Sequence, residues 1–195
     1  TSARFDSPRS ITIGRDGTLY LSDSRNHRIR KVDAAGIITT IAGSGQGFRG
    51  DGGAALTARF NLPSGIHVDG IDNLYIADSF NHRIRKISPD GIITTIAGDG
   101  FTNEFGEGRF NSDNVPALEA SLNIPIDVAV DAIGQVYIAD TGNHRIRKID
   151  TQGMMTTVAG DGYRTTVGDG RFNGDGPAAL STSLFFPNGL ALDGN

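Results

Sequence analysis

One stretch of text occurs three times in this chain, and it limits the fold more than any other feature. The shared run reads Y-[LI]-[SA]-D-[ST]-x-N-H-R-I-R-K and is followed, after a short gap, by G-x-x-T-T-[IV]-A. Its copies span residues 18–42, 73–97 and 134–159. Repeats of this length indicate a chain built from copies of one supersecondary unit, in which each copy buries its faces against its neighbours.

Each copy carries the pattern of four short strands. A proline precedes a first apolar alternation, and the second strand surrounds the repeated tyrosine. The third strand is the H-R-I-R-K segment, and the fourth is the run I-I-T-T-I or M-M-T-T-V. The prolines and their alternating pairs are Pro8 with Ile11 and Ile13, Pro63 with Ile66 and Val68, Pro125 with Val128 and Val130, and Pro187 with Leu190 and Leu192.

Repeated antiparallel units of this kind predict an all-β fold, a β-propeller. We predict three four-stranded blades at about 8–42, 63–97 and 125–159, and the first strand of a fourth blade at 187–195. Because rings close with about four to eight blades, the whole of 1–195 is a partial propeller. It is either a piece of a longer chain or one of two paired copies. Two copies would supply two first strands too many, so we favour the longer chain.

The connections between blades align in their second half, at 48–60, 110–122 and 172–184. Each has an apolar i,i+4 pair, which predicts one short helical turn docked on a blade. The pairs are Leu56 with Phe60, Leu118 with Leu122, and Leu180 with Leu184. Asp51, Asp113 and Asp175 precede this turn and are expected near its positive end. The runs 98–110 and 160–172 are each seven residues longer than 43–48, and their extra text matches poorly.

The repeated text resembles the NHL repeat. The motif Y-I-A-D-[ST]-x-N-H-R-I-R-K, preceded by P-x-G-I/L-x-V/L-D, carries this resemblance over nearly the whole chain. The continuation G-I-I-T-T-I-A-G and F-x-G-D-G is similar to long repeats of bacterial extracellular proteins and, more loosely, of teneurin-like proteins. The resemblance implies a propeller of about six blades, used mostly for binding, in an extracellular or periplasmic protein. A few relatives, such as amidating lyases and lactonase-like propellers, are enzymes.

Composition excludes several classes of protein. The net charge of −4 argues against a nucleic-acid partner, because phosphate binding needs a basic surface. The chain has no cysteine, and therefore no disulfide, thiolate metal site or cysteine nucleophile. No apolar stretch is long enough for membrane insertion. The 27 glycines suit short strands joined by tight turns.

The polar residues that recur in every copy are expected to be structural. His27, His82 and His144 occupy one position per blade, and a ring keeps such equivalent positions apart. The Asp and Asn residues around them are expected to hydrogen-bond backbone in the turn after the second strand. The arginines and lysines of the third strand are interpreted as solvated or as partners between blades. Arg49-Gly50-Asp51 spells an integrin tripeptide, and Asp-Gly steps are found in calcium loops, but both are interpreted as ordinary turns.

Function is expected where the copies differ. The longer loops carry Phe101, Glu104, Phe105, Tyr163 and Arg164, and we expect them on the same face as the turns after the second strands. We predict binding there, and expect Phe101→Ala or Tyr163→Ala to leave folding nearly intact.

Two further individual residues lie on first strands that line the predicted channel. His67 and Asp127 are able to bind a metal or to serve as acid and base, although a packed histidine is the simpler interpretation.

Three functions remain open. The first is a non-catalytic scaffold that binds a protein or a glycan, with no catalytic residue, no metal and no cofactor other than a possible Ca²⁺. The second is a hydrolase or lyase with a metal in the channel. The third is a structural subunit of an extracellular assembly.

Overall fold

The computed structural model describes residues 3–164, 171 and 173–193. It confirms an all-β chain with three antiparallel sheets. Sheet 1 contains β1 (Pro8–Ile13), β2 (Leu19–Asp23), β3 (Arg28–Val32) and β4 (Ile38–Ala42). Sheet 2 contains β5 (Gly53–Ala54), β6 (Pro63–Val68), β7 (Leu74–Asp78), β8 (Arg83–Ile87) and β9 (Ile92–Ala97). Sheet 3 contains β10 (Val115–Pro116), β11 (Asp127–Val130), β12 (Val136–Asp140), β13 (Arg145–Ile149) and β14 (Met154–Ala159).

Sheets 2 and 3 have a fifth strand that the sequence pattern did not predict. The two-residue strands β5 and β10 come from the preceding connection and pair with the outer strands β9 and β14. Edge strands expose unpaired backbone groups, and the connection satisfies some of them here. The predicted helical turn forms only as a 3-10 turn of three residues, directly after β5 at Ala55–Thr57 and again at Ala179–Ser181. Pro116 accordingly lies in β10 and not at the start of a helix.

The predicted i,i+4 pairs do not dock as pairs. Phe60 and Leu122 are fully buried, whereas Leu56 and Leu118 are 56% and 57% exposed. The reason is that the 3-10 turn ends at Thr57 and the chain is extended again at Ala58, so i and i+4 do not share one face as they do in a longer helix.

The predicted first strand of a fourth blade is not formed within residues 187–193. A strand requires a hydrogen-bonded neighbour, and the second strand that would pair with it is not among the 195 residues. The segment nevertheless follows the same path as the other first strands, since the Leu190 amide donates to Asp127 at 2.9 Å.

The three sheets lie side by side with their first strands adjacent. The Ile66 amide donates to Ser10 Oγ at 3.2 Å, and the Gly65 amide donates to the Ile126 carbonyl at 2.7 Å. The approach at Gly65 is so close that a Cβ there would lie 2.6 Å from the Cα of Asp127. Adjacent first strands with sheets extending away from them give a propeller-like arrangement.

The core lies between the sheets. Ile29 and Ala42 of sheet 1 pack with Ile66 and Ile76 of sheet 2, and equivalent residues join sheets 2 and 3. In sheet 1, Ile11 and Ile13 are 57% and 64% exposed, because no other sheet among the described residues covers this face. Within the described part of the chain, no helix is long and apolar enough to cross a membrane.

Candidate interaction face

The turns after the second strands share an unusual backbone conformation. Single 3-10 turns at Ser24–Asn26, Ser79–Asn81 and Thr141–Asn143 each end at a histidine with positive φ, between 53° and 56°. Positive φ is uncommon for residues other than glycine and needs support from surrounding contacts. Each histidine Nδ1 accepts the backbone N–H of the residue before the next conserved proline. These bonds join Leu62 to His27 at 3.2 Å, Ile124 to His82 at 3.0 Å, and Phe186 to His144 at 3.2 Å.

The repeated histidines therefore connect each unit to the next, in agreement with the structural role expected of them. His82 and His144 are fully buried. Burial lowers the pKa of His82 and of His27, which favours the neutral ring that an Nδ1 acceptor requires.

Buried aspartates accept hydrogen bonds that fix the same turns. Asp78 is fully buried and accepts the Asn61 amide and the Asn81 side-chain amide, both at 2.8 Å. Asp140 makes the equivalent bonds in sheet 3. Burial raises the pKa of Asp78 and of Asp140 to about 6, against the opposing effect of these donors.

The middle arginine of the third strand is buried in sheets 2 and 3, so of the two interpretations of these cations, solvated or partners between blades, the solvated one is wrong for Arg85 and Arg147. Arg85 has no exposed side-chain surface and lies between Asp78 at 3.4 Å and Asp51 at 2.6 Å. Thr95 donates to the other oxygen of Asp51 at 2.7 Å. A guanidinium tolerates burial when carboxylates surround it.

Asp51 consequently pairs with Arg85, and no acidic residue lies in the first turn of the 3-10 turn at Ala55–Thr57, so its expected role was wrong. The same contacts occupy the carboxylate of the Arg-Gly-Asp tripeptide, which supports the structural interpretation of that motif. Arg147 repeats the arrangement in sheet 3, between Asp113 and Asp140.

The first arginine of the third strand joins two connections. The Arg83 guanidinium stacks 3.9 Å from the centre of the Phe48 ring and donates to the Asp99 carbonyl at 2.8 Å. Arg145 does the same with Phe110 and Asp161. The longer connections therefore lie at the same end of the sheets as the histidine turns, as the sequence predicted. We call this end the loop face.

The two longer loops, 98–110 and 160–172, share a base that the sequence comparison missed. In the first loop, Arg109 stacks 3.9 Å from the Phe101 ring and donates to Ser121, which donates to Asp99 at 2.7 Å. In the second, Arg171, Tyr163, Ser183 and Asp161 make the matching contacts. The sequence did contain a signal for this base, because each loop begins with D-G-[FY] and ends with G-[ED]-G-R-F.

Phe101 and Tyr163 thus belong to the repeated base, where a guanidinium covers one ring face. They remain 36% and 37% exposed. Their predicted role in binding stays a prediction.

The loops differ at residues 102–105 and 164–167. We call 102–107 the tip of the first loop. Glu104 is exposed and Phe105 is 79% exposed at this tip. Arg164 is exposed in the second loop, and the following residues 165–170 lie outside the described part of the chain.

His67 and Asp127 lie on the adjacent first strands β6 and β11, each half-buried. Burial lowers the pKa of His67 and raises the pKa of Asp127. Asp127 accepts the Val128 and Leu190 amides at 3.0 and 2.9 Å, so it links neighbouring units as Ser10 does. It also borders an open cavity of about 320 Å³ with Arg9 and Asn188.

The described residues hold no group of three or more His, Cys, Asp or Glu side chains with the spacing of a metal site. Among them, no hydrogen bond or ion pair joins His67 to Asp127. The predicted channel pair is therefore adjacent but not coupled by direct contact.

Comparisons with known proteins agree with this architecture. A family profile described as the teneurin NHL domain matches residues 46–106 and 105–169, and one described as the NHL repeat matches 5–32. Human Teneurin-1 is 30% identical over 207 residues, covering 98% of this chain and 7% of the relative. Human NHL repeat-containing protein 2 is 28% identical, covering 80% of this chain and 22% of the relative. The chain therefore spans a small part of the curated relatives it matches.

Solved structures support the fold. A protein of unknown function from Bacteroides thetaiotaomicron has a TM-score of 0.67 at 21% identity, covering 93% of this chain and 41% of the other. A gluconolactonase from Xanthomonas campestris has a TM-score of 0.55 at 16% identity, covering 78% and 47%. From the motifs alone, the resemblance to teneurin-like proteins was looser than the one to bacterial extracellular proteins. The profile that matches residues 46–106 and 105–169 is nevertheless that of the teneurin NHL domain. With its repeated Tyr-x-x-Asp turns, linking histidines and matching profiles, the chain belongs to the NHL-repeat family.

Proposed function

We propose that this chain is a non-catalytic interaction scaffold that presents its loop face to a protein or glycan partner. The observation that carries this proposal is the contrast within the longer loops. A constant base of arginine, aromatic, serine and aspartate supports a tip that differs between the two loops. Binding surfaces of scaffold proteins place variable residues on constant supports in this way.

The test compares the wild-type protein with a double variant, Glu104→Ala and Phe105→Ala, on protein and glycan arrays. The proposal expects partners of the wild type whose binding falls at least about tenfold in the double variant, as for hot-spot truncations. Array partners that bind both proteins equally would contradict use of this loop, and an absence of any partner would contradict the scaffold function.

We also propose that the three sheets are consecutive blades of a longer ring of about six. The uncovered isoleucines of sheet 1 support this, because the equivalent residues of sheets 2 and 3 are covered by a neighbour. Either the remainder of a longer chain or a second copy would complete the ring. Light scattering of the 195-residue protein distinguishes these, since a mass near 20.6 kDa favours the longer chain and a doubled mass favours paired copies.

A metal-dependent hydrolase or lyase is the alternative function. The half-buried His67 beside Asp127, with pKa values moved by burial, favours it. Tightly held Zn²⁺ or Ca²⁺ at one equivalent, lost in His67→Ala, would support the enzyme. We propose instead that the protein needs no cofactor, which predicts equal stability in Ca²⁺ and in chelator.

We further propose that the protein acts outside the cytoplasm, as an extracellular or periplasmic protein. This rests on the resemblance of its repeats to those of extracellular proteins. Fractionation of the native product tests it, and a cytoplasmic location would reject it. A structural role in an extracellular assembly predicts self-association of the loop face, which light scattering at rising concentration would detect.

A further inference from the structure

The tip of the first loop has an exposed apolar side chain with no internal role. At 79% exposure, Phe105 is more exposed than any other large apolar side chain in the described residues. Burying a phenylalanine is favourable because it removes a large apolar surface from water. An exposed ring at the end of a supported loop is therefore an available source of binding energy.

The tip is ordered by its own hydrogen bonds. Asn103 Oδ1 accepts the amides of Phe105 and Glu107, both at 2.9 Å, and Asn103 Nδ2 donates to Glu107 Oε2 at 3.0 Å. The Gly106 amide donates to the Asn103 carbonyl at 3.0 Å. A loop that is already ordered loses less conformational entropy when it binds.

Buried groups fix the tip to the core. His82 hydrogen-bonds the Gly106 carbonyl through Nε2 at 3.1 Å, and its Nδ1 already accepts the Ile124 amide. Since Nδ1 accepts, Nε2 carries the proton and is the donor to Gly106. The Gly108 amide donates to Asn123 Oδ1 at 3.0 Å. One fully buried ring therefore determines both the path of the chain into sheet 3 and the position of the tip.

The tip is anionic. Residues 102–107 include two exposed glutamates and no lysine or arginine. The adjacent cations Arg109 and Arg83 keep their charges but are held at the loop base, where Arg109 stacks on Phe101 and Arg83 stacks on Phe48 and binds the Asp99 carbonyl. A partner that approaches this surface is favoured by positive charge.

We propose that Phe105 packs against apolar side chains of a protein partner whose flanking lysine or arginine faces Glu104, and that His82 is the positioning residue for this contact. This inference rests on the proposed scaffold function and names its partner as a protein. A protein is favoured over a neutral glycan because lysine or arginine supplies the positive charge that complements the two exposed glutamates of the tip.

The test uses a random twelve-residue peptide library displayed on phage and selected on the immobilised 195-residue protein. Selected peptides are expected to combine large apolar residues with lysine or arginine. Phe105→Ala should weaken them at least about tenfold, and Glu104→Gln should weaken them by about three- to tenfold in low salt only. Ile71→Ala, an equally exposed side chain at the other end of sheet 2, is the matched control and should change nothing.

His82→Asn tests the positioning role. Asparagine tolerates positive φ and has an acceptor near the place of Nδ1, but it does not reach Gly106. We expect peptide binding to weaken and the amides of 103–107 to exchange faster with solvent, while His27→Asn leaves both unchanged. Unchanged exchange and binding in His82→Asn would remove His82 from the inference.

Other outcomes separate this inference from the proposed function. Peptides that lose affinity in Arg164→Ala but not in Phe105→Ala would overturn the inference and leave the scaffold function standing. Glycan-array binding that depends on Phe105 would do the same. If no peptide is enriched, the inference is overturned. If the glycan array also detects no binding, the proposed scaffold function is overturned as well.

Discussion

The connection from sheet 1 to sheet 2 and the connection from sheet 2 to sheet 3 have the same framework and different additions. Both supply an aspartate to a buried arginine, an outer two-residue strand and a buried apolar residue, Phe60 or Leu122. Only the second has the insertion, and only there does the linking histidine bind a loop carbonyl through Nε2. In the first, the His27 ring hydrogen-bonds only through Nδ1 within the described residues. The insertion therefore uses a ring atom that the framework does not need.

The largest effect on stability is expected from removing a buried arginine. Comparing Arg85 of sheet 2 with Arg30 of sheet 1 tests whether the aspartate supplied by the connection contributes to stability. Arg85→Met leaves Asp78 buried without its cation and should lower the free energy of unfolding by about 3–5 kcal/mol. Arg30→Met in sheet 1 should cost less, because Arg30 is partly exposed and its ion pair is with Asp23 alone. Urea unfolding measures both, and equal losses would show that the aspartate of the connection contributes nothing.

A second difference in stability is expected between variants of His82 and of His27. His82→Ala removes two hydrogen bonds of a buried ring and should cost about 2–3 kcal/mol, whereas His27→Ala removes one hydrogen bond and should cost about 1 kcal/mol. Thermal unfolding of the two variants under one buffer measures the difference. A larger loss in His27→Ala would reverse the comparison.

The same histidines predict a pH dependence. Burial lowers the pKa of His82 below its usual value of about 6.5, so the stability that the neutral ring contributes is present above pH 6.5 and is lost as the pH falls below it. Asp78 acts in the opposite direction, because its pKa is raised to about 6 and the cost of its charge is relieved on acidification. The difference in unfolding free energy between wild type and His82→Asn isolates the histidine, and it should shrink from pH 7 to pH 5.

A smaller loss of stability is expected from a substitution at the base of the first longer loop. Phe101→Ala removes the ring beneath Arg109, a contact worth about 0.5–1 kcal/mol at an exposed site. The sheets should remain folded, as the sequence predicted, while hydrogen exchange of residues 103–107 becomes faster. Slower or unchanged exchange would show that the arginine stack does not support the tip.

The smallest effect on stability is expected at the tip. Phe105→Ala should change the free energy of unfolding by no more than about 0.5 kcal/mol, because the ring is exposed. A loss above 1 kcal/mol would mean that the ring packs internally and is not free for a partner.

The strands were predictable from the sequence because their signal is repeated and periodic. Alternation after each proline placed β1, β6 and β11, and the repeated H-R-I-R-K placed the third strands. The outer strands β5 and β10 were not predictable, since two residues carry no periodicity and Gly53–Ala54 has no side-chain signature. In the segment 187–193 the apolar alternation is present, but no strand among the described residues pairs with it, and it is not a strand.

The polar site was harder to predict than the strands. Arginine is rarely buried without partners, and the partners of Arg85 come from different elements, one of them 34 residues away. The loop base was hidden because its members, such as Asp99, Ser121 and Arg109, are spread over two ends of a connection. An ungapped alignment at an offset of 62 residues matches them to Asp161, Ser183 and Arg171, but only the contacts in the structure show that they form one unit.

The order of the elements along the chain has a consequence for biosynthesis. Each outer strand pairs with a sheet whose other strands lie later in the sequence, as Gly53–Ala54 does with Ile92–Ala97. A ribosome therefore releases the edge of a sheet before the strand that it will border, and each sheet is complete when its own last strand emerges. We expect nascent chains of this family to acquire protease resistance in steps of one repeat, without waiting for the ring to close.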